Sequence, residues 1–158
     1  MKKRYLCFLL IALLFVLCFC ASTEISEPHI LFGQIEKSYG QLKPGLYFDS
    51  RSKEWEENYL DADVIESLFG SESNYKEAVE NAYIYLSASL SSYEEILVLE
   101  CYTSDKDRQM TGLLAERDRL LATLEAEGLE AVIGCQGRTV VYCRLADKKR
   151  AKEAMPIQ

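Results

Sequence analysis

Histidine is nearly absent from this chain: His29 is the sole one among 158 residues. It lies close to the N-terminal segment, a poor place for a general base, so Ser-His-Asp and Cys-His chemistries lose their proton carrier. The nucleophile elbow G-x-S-x-G is missing, which removes the commonest serine hydrolase signature. The eight glycines are scattered and form neither G-x-G-x-x-G nor G-x-x-x-x-G-K, the loops that cradle phosphate. C-x-x-C is absent too, and His29 is remote from the cysteines of the domain, so a zinc site is not expected. Asp61-Ala62-Asp63 resembles a paired-carboxylate metal motif but has no further oxygen ligands at fixed offsets, and helix capping accounts for it better. The expectation is no catalytic residue, no metal and no cofactor.

Basic residues are also in deficit, with 18 Lys and Arg against 25 Asp and Glu. Three of the cations, Lys2, Lys3 and Arg4, precede an apolar run from Tyr5 to Phe19 that closes on the small residues Cys20, Ala21 and Ser22. A cationic start, an apolar stretch and a small-residue end form an export signal, so residues 1–20 stand apart from the fold. Without its three cations the chain goes from −7 to −10. Such a surface repels phosphate backbones and anionic headgroups, which argues against nucleic acid as a partner.

Three fates fit the N-terminus. Leu17-Cys18-Phe19-Cys20 has the form of a lipobox with Cys20 as the lipid acceptor, although Phe19 stands where Gly or Ala is usual. Cleavage before Ala21 is the second fate, and retention as a short membrane span the third. All three export the domain, and two tether it to the membrane. The expected location is the extracytoplasmic face of the cell membrane, lipid-anchored through Cys20. Residues 21–28 then read as a polar tether and 29–158 as one domain.

Of six cysteines, Cys7, Cys18 and Cys20 fall in the leader, leaving Cys101, Cys135 and Cys143. Three cannot make a complete disulfide framework. A Cys101–Cys143 bridge requires their strands to be adjacent and in register.

Along the domain, Ile30, Leu31, Ile35 and Tyr39 recur at helical spacing before Gly40. Residues 41–58 read as a loop with at most one short strand around Leu46-Tyr47-Phe48. Asp63 to Glu66 has capping-box spacing and opens a short helix ended by Gly70. Ala82–Leu90 and Glu94–Tyr102 read as strands, followed by a long helix opened by Ser104. Its apolar stripe of Met110, Leu113, Leu114, Leu120, Leu121 and Leu124 is broken by Arg117, and Gly128 ends it. Ala131–Cys135 and Arg138–Leu145 flank a tight turn at Gln136-Gly137. Asp147 caps a last cationic helix ending near Met155-Pro156.

This predicts an α+β two-layer sandwich, with a four-stranded, mainly antiparallel sheet in β-β-α-β-β-α order, preceded by short N-terminal helices. In the C-terminal hairpin Val132, Val141, Cys143 and Leu145 share one face, while Ile133, Val140 and Tyr142 share the other. Both faces are apolar, so the second is either covered by the N-terminal helices or a binding surface.

The series Leu60–Gly70, Tyr85–Leu90, Glu94–Val98 and the helix bearing Arg117 resembles a family of small bacterial lipoprotein domains of unknown function. Members share a short helix ending in glycine, a strand leading into an acidic "EEI" strand, an arginine-bearing helix and a C-terminal hairpin. The resemblance covers about Leu60 to Met155 and implies export, lipid anchoring and an α+β fold, without implying a reaction. This chain departs from it in Phe19 of the lipobox and in a shorter, cysteine-bearing stretch before the hairpin.

Arg117 and the strand-opening pair Glu94 and Glu95 stand out as candidate contacts. A half-buried arginine needs a carboxylate partner, so Arg117 either pairs with one of these glutamates or grips an anionic ligand or a partner's carboxylate. The expected function is non-catalytic binding or assembly at the cell surface, with the membrane and another envelope protein as partners. The alternatives are an envelope hydrolase using paired carboxylates and a small-ligand or peptide-binding module.

Overall fold

The computed structural model describes residues 27–71, 74–88, 94–105, 108–109 and 131–157. The leader, Cys20, Arg117 and the apolar stripe of the long helix lie outside the described residues. In chain order the elements are α1 (Pro28–Tyr39), β1 (Gly45–Asp49), α2 (Ala62–Phe69), α3 (Tyr75–Ala78), β2 (Val79–Ser87), β3 (Glu95–Cys101), β4 (Ala131–Gln136), β5 (Thr139–Arg144) and α4 (Lys148–Ala154).

The five strands form one open, wholly antiparallel sheet in the order β1-β2-β3-β5-β4. This corrects the expected four strands. The additional one is Gly45-Leu-Tyr-Phe-Asp, which pairs along β2 from Gly45↔Ser87 to Asp49↔Tyr83. It is the one short strand that the sequence allowed around Leu46-Tyr47-Phe48 but that the four-strand count left out. Aromatic packing holds it: Tyr47 lies edge-on to Phe32 of α1, with ring centroids 5.7 Å apart, and 5.3 Å from Tyr85. Such pairs add stabilisation beyond the area they bury.

Helices lie against both sheet faces, so the two-layer expectation is corrected as well. On one face α1 and α4 bury Leu31, Phe32, Ile35, Ala151 and Ala154 against Tyr85, Ile96, Val98, Val141 and Cys143. On the other, Leu68 and Phe69 of α2 and Tyr75 of α3 pack with Ile84, Leu97, Leu99, Val140 and Tyr142. The N-terminal helices thus contribute to covering both faces. This explains why Ile96-Leu97-Val98-Leu99 is apolar without alternation, a pattern commoner in doubly covered parallel sheets.

Local chemistry sets the element ends. Gly40 and Gly70 follow α1 and α2 with φ of 100° and 85°, and their N–H groups return to Glu36 O and Glu66 O. These backbones favour residues without a Cβ. The N-cap of α2 is Asp61, not Asp63: its Oδ1 accepts from Val64 N at 2.8 Å. Asp147 caps α4 in the same way, accepting from Arg150 N at 2.9 Å. Gly137, with φ of 56°, makes the β4–β5 turn. The hairpin faces match the expected sharing, since Val132 lies opposite Cys143 and Ile133 opposite Tyr142.

Cys101 and Cys143 are free thiols. The strands of Cys101 and Cys143 are neighbours, but Cys143 sits opposite Ile96, at the far end of β3 from Cys101. The two thiols also belong to cores on opposite sides of the sheet. Register and pleat together exclude the bridge.

Candidate binding surface

Glu94 and Glu95 leave β3 on opposite faces because successive side chains alternate along a strand. Glu94 is buried on the α1 side, where its Oε1 accepts from Ala146 N at 3.2 Å and lies 3.5 Å from Lys43 Nζ. Its own N–H donates to Ser87 Oγ at 2.9 Å. Tyr85 donates to the Lys43 carbonyl at 2.8 Å. Burial, then the nearby Glu94 charge, pushes the Tyr85 hydroxyl up to about 12. The cluster joins the approach to β1, the start of β3 and the start of α4. Glu95 is fully buried and stands opposite Arg144 in the β3–β5 register. The neighbouring carboxylates therefore do not converge on one point, as a two-carboxylate mechanism requires.

Gln109 has a positioning role that sequence reading missed. Its Nε2 donates to Thr103 O at 2.6 Å and to Gly137 O at 3.0 Å, clipping the turn after β4 to the segment after β3. A lone glutamine next to a helix start carries no spacing signal, so only the tertiary structure reveals it.

β1 and β4 are the edge strands of the sheet, and the outer edge of β1 leaves backbone groups unmatched among the described residues. Ser50 N donates to Ala82 O at 3.0 Å and Ala88 N to Pro44 O at 2.9 Å, which sets the ladder phase. Antiparallel alternation then turns the Leu46 and Phe48 backbones toward β2, and those of Gly45, Tyr47 and Asp49 outward. Asp49 is met there by the following loop, donating to Asn58 O at 2.8 Å. The Gly45 and Tyr47 amides and carbonyls have no hydrogen-bond partner among the described residues. Beside them runs a groove of about 550 Å³, lined by Gly45, Leu46, Tyr47, Phe48, Glu57 and Asn58.

The rim of this groove is apolar and acidic. Leu46 is 59% exposed and Trp55 is 79% exposed, unusual for large apolar side chains so close together in sequence. Lys53 lies over the Trp55 ring, 5.2 Å from its centroid. At the far end of β1, Arg51 binds Glu27 Oε2 through Nη1 at 2.7 Å and meets His29 Nδ1 through Nη2 at 2.6 Å. Its Nε reaches Asp49 Oδ1 at 3.4 Å. The hydrogen bond from Arg51 holds the Glu27 carboxyl below its usual value. This network pins the start of α1 to the end of β1.

A second concavity, of about 470 Å³, lies among Asn74, Glu77, Ala78, Tyr102, Thr103 and Arg108, and its Asn, Glu and Arg side chains are solvent-exposed. No cluster of three or more potential metal ligands occurs among the described residues. No described helix is long and apolar enough to cross a membrane. No protein-family model, curated protein or solved structure matches the chain.

Proposed function

We propose that this is an exported, membrane-anchored domain acting without catalysis, as a binding or assembly module at the cell surface. The observation that carries the reading is the open edge of β1, where the Gly45 and Tyr47 backbones, on either side of exposed Leu46, are unpaired among the described residues. Proteins normally blunt such edges, because an unpaired strand recruits another. An edge flanked by exposed apolar side chains is suited to recognition. The divergence of Glu94 and Glu95 speaks against the paired-carboxylate hydrolase.

The anchoring part rests on Lys2-Lys3-Arg4, the Tyr5–Phe19 run and Cys20, together with the resemblance to small bacterial lipoprotein domains. In this reading the tether enters the domain at Glu27, beside the strand that receives the partner, and nucleic acid plays no part. Arg117 serves as a contact or as the ion-pair partner of a strand glutamate.

Two measurements test the proposal. The intact mass of membrane-extracted protein is expected to carry a diacylglycerol increment that is lost in Cys20→Ser. A photoreactive residue at position 46 is expected to give a discrete adduct in intact membranes, while one at exposed position 153 gives none. A full-length unlipidated mass replaces the lipid anchor with a span, and an absence of adducts at position 46 refutes the binding role of β1.

A further inference from the structure

The open edge has a definite electrostatic character, which narrows what can add to it. Glu57 lines the groove together with Leu46 and Phe48. Glu36 of α1 lies on the opposite side, near enough for its charge to raise the Tyr47 hydroxyl after burial, the larger cause. Glu54 and Glu56 are exposed on the same loop as Glu57. The nearby cations are already occupied: Lys43 by Glu94, Arg51 by Glu27 and Asp49, and Lys53 by the Trp55 ring. Glu36, Glu54 and Glu57 hold no ion pair among the described residues.

We propose that β1 accepts an extended cationic segment of a partner protein as a sixth, antiparallel strand. This deepens the binding reading above and rests on it. Gly45 and Tyr47 each offer an outward N–H and C=O, so an antiparallel strand gains up to four backbone hydrogen bonds across a non-hydrogen-bonded position at Leu46. The partner residue opposite Leu46 shares its face at close Cβ spacing and is therefore apolar. Residues on either side of it point to the opposite face, toward Glu36 and the Tyr47 ring. Positions two removed share the Leu46 face and reach Glu57. Lysine or arginine at these positions meets unpaired carboxylates, and Trp55 offers a face for a further cation. Asn58 closes the slot at Asp49, so recognition is confined to a few residues. A second copy of this chain would bring the same acidic rim against itself, which disfavours it as the occupant.

Trp55 is the sole tryptophan and lies two residues from groove-lining Glu57, so its emission is expected to report binding in the full-length, detergent-solubilised protein. The probes are a seven-residue peptide with a central valine flanked by three lysines on each side, its counterpart with glutamate in place of lysine, and the lysine peptide N-methylated on alternate amides. The lysine peptide is expected to bind at least roughly tenfold more tightly than the glutamate peptide at low ionic strength, and to weaken as salt rises. N-methylation on the pairing edge is expected to abolish binding. The double variant Glu36→Gln, Glu57→Gln, with unchanged circular dichroism, is expected to reduce the lysine preference to within about threefold. Equal binding of both charged peptides overturns the cationic specificity and leaves strand addition standing. No binding of either peptide, without change in Trp55 emission, overturns both readings. A dimer seen by sedimentation velocity without peptide, and lost in Leu46→Lys, identifies a second copy as the occupant and also overturns the proposal.

Discussion

Ile96 and Leu97 are adjacent on β3, the middle strand of the sheet, and neither exposes any surface. They face opposite ways: Ile96 into the core beneath α1 and α4, Leu97 into the core shared with α2 and α3. Truncating either to alanine removes buried carbon and leaves a cavity, a cost of about 2–5 kcal/mol. A domain of this size has about 5–15 kcal/mol in total, so each single variant should fold with a clearly lowered midpoint. With a urea slope of about 1–3 kcal/mol per molar, a 3 kcal/mol loss moves the midpoint by roughly 1–3 M. The two side chains lie in separate cores, but as neighbours on one strand their costs can depart from additivity by about 0.5–3 kcal/mol. Their sum is of the order of the whole stability, and the double variant should be largely unfolded in buffer. Urea titration followed by far-ultraviolet circular dichroism measures all three. A large shift for Ile96→Ala with less than about 0.3 M for Leu97→Ala would refute burial on both faces, and with it the three-layer reading.

Two further predictions concern a helix cap and the thiols. Asp61→Ala should cost about 0.5–2 kcal/mol through loss of the Val64 N–H acceptor, whereas Asp63→Ala should cost clearly less in the same titration; equal costs would mean that Asp61 is not the cap. Burial pushes the Cys101 thiol up to about 11 and Cys143 to about 12 from 9.0. At pH 8 their thiolate fractions are then on the order of one in a thousand and one in ten thousand. Mass-mapped alkylation of native protein should label half-buried Cys135 first, and early labelling of Cys143 would contradict its burial. Because both folded values are raised, the associated stability is complete below about pH 9 and falls as pH climbs toward 11 to 12.

The sequence was most legible where local rules and burial agree. Gly40 and Gly70 end helices, Asp147 caps the last one, and the hairpin around Gly137 keeps the register that sets Val132 and Ile133 on opposite faces. Each depends on neighbours within a few residues, or on the period of two along a strand. The continuous apolar run of β3 fits cover on both faces, because a half-exposed antiparallel strand alternates, yet the two-layer expectation did not draw on it. Other features were decided elsewhere in space. Asp61 and Asp63 both suit a cap, and the observed helix start chose the earlier one. The Cys101–Cys143 question turned on pleat and strand offset, which spacing does not encode.

Composition by itself determined the acidic balance, the scarcity of proton carriers and the contrast between an apolar N-terminal run and a polar remainder, since these are sums and runs over residues. The sequence allowed one short strand around Leu46-Tyr47-Phe48, and tertiary structure decided that Gly45–Asp49 joins the sheet, packed by Phe32 and Tyr85, which are distant in sequence. Tertiary structure also decided which backbone groups of that strand remain unpaired. Hydrogen-bond phase is a property of a pair of strands, and a single segment read alone carries none.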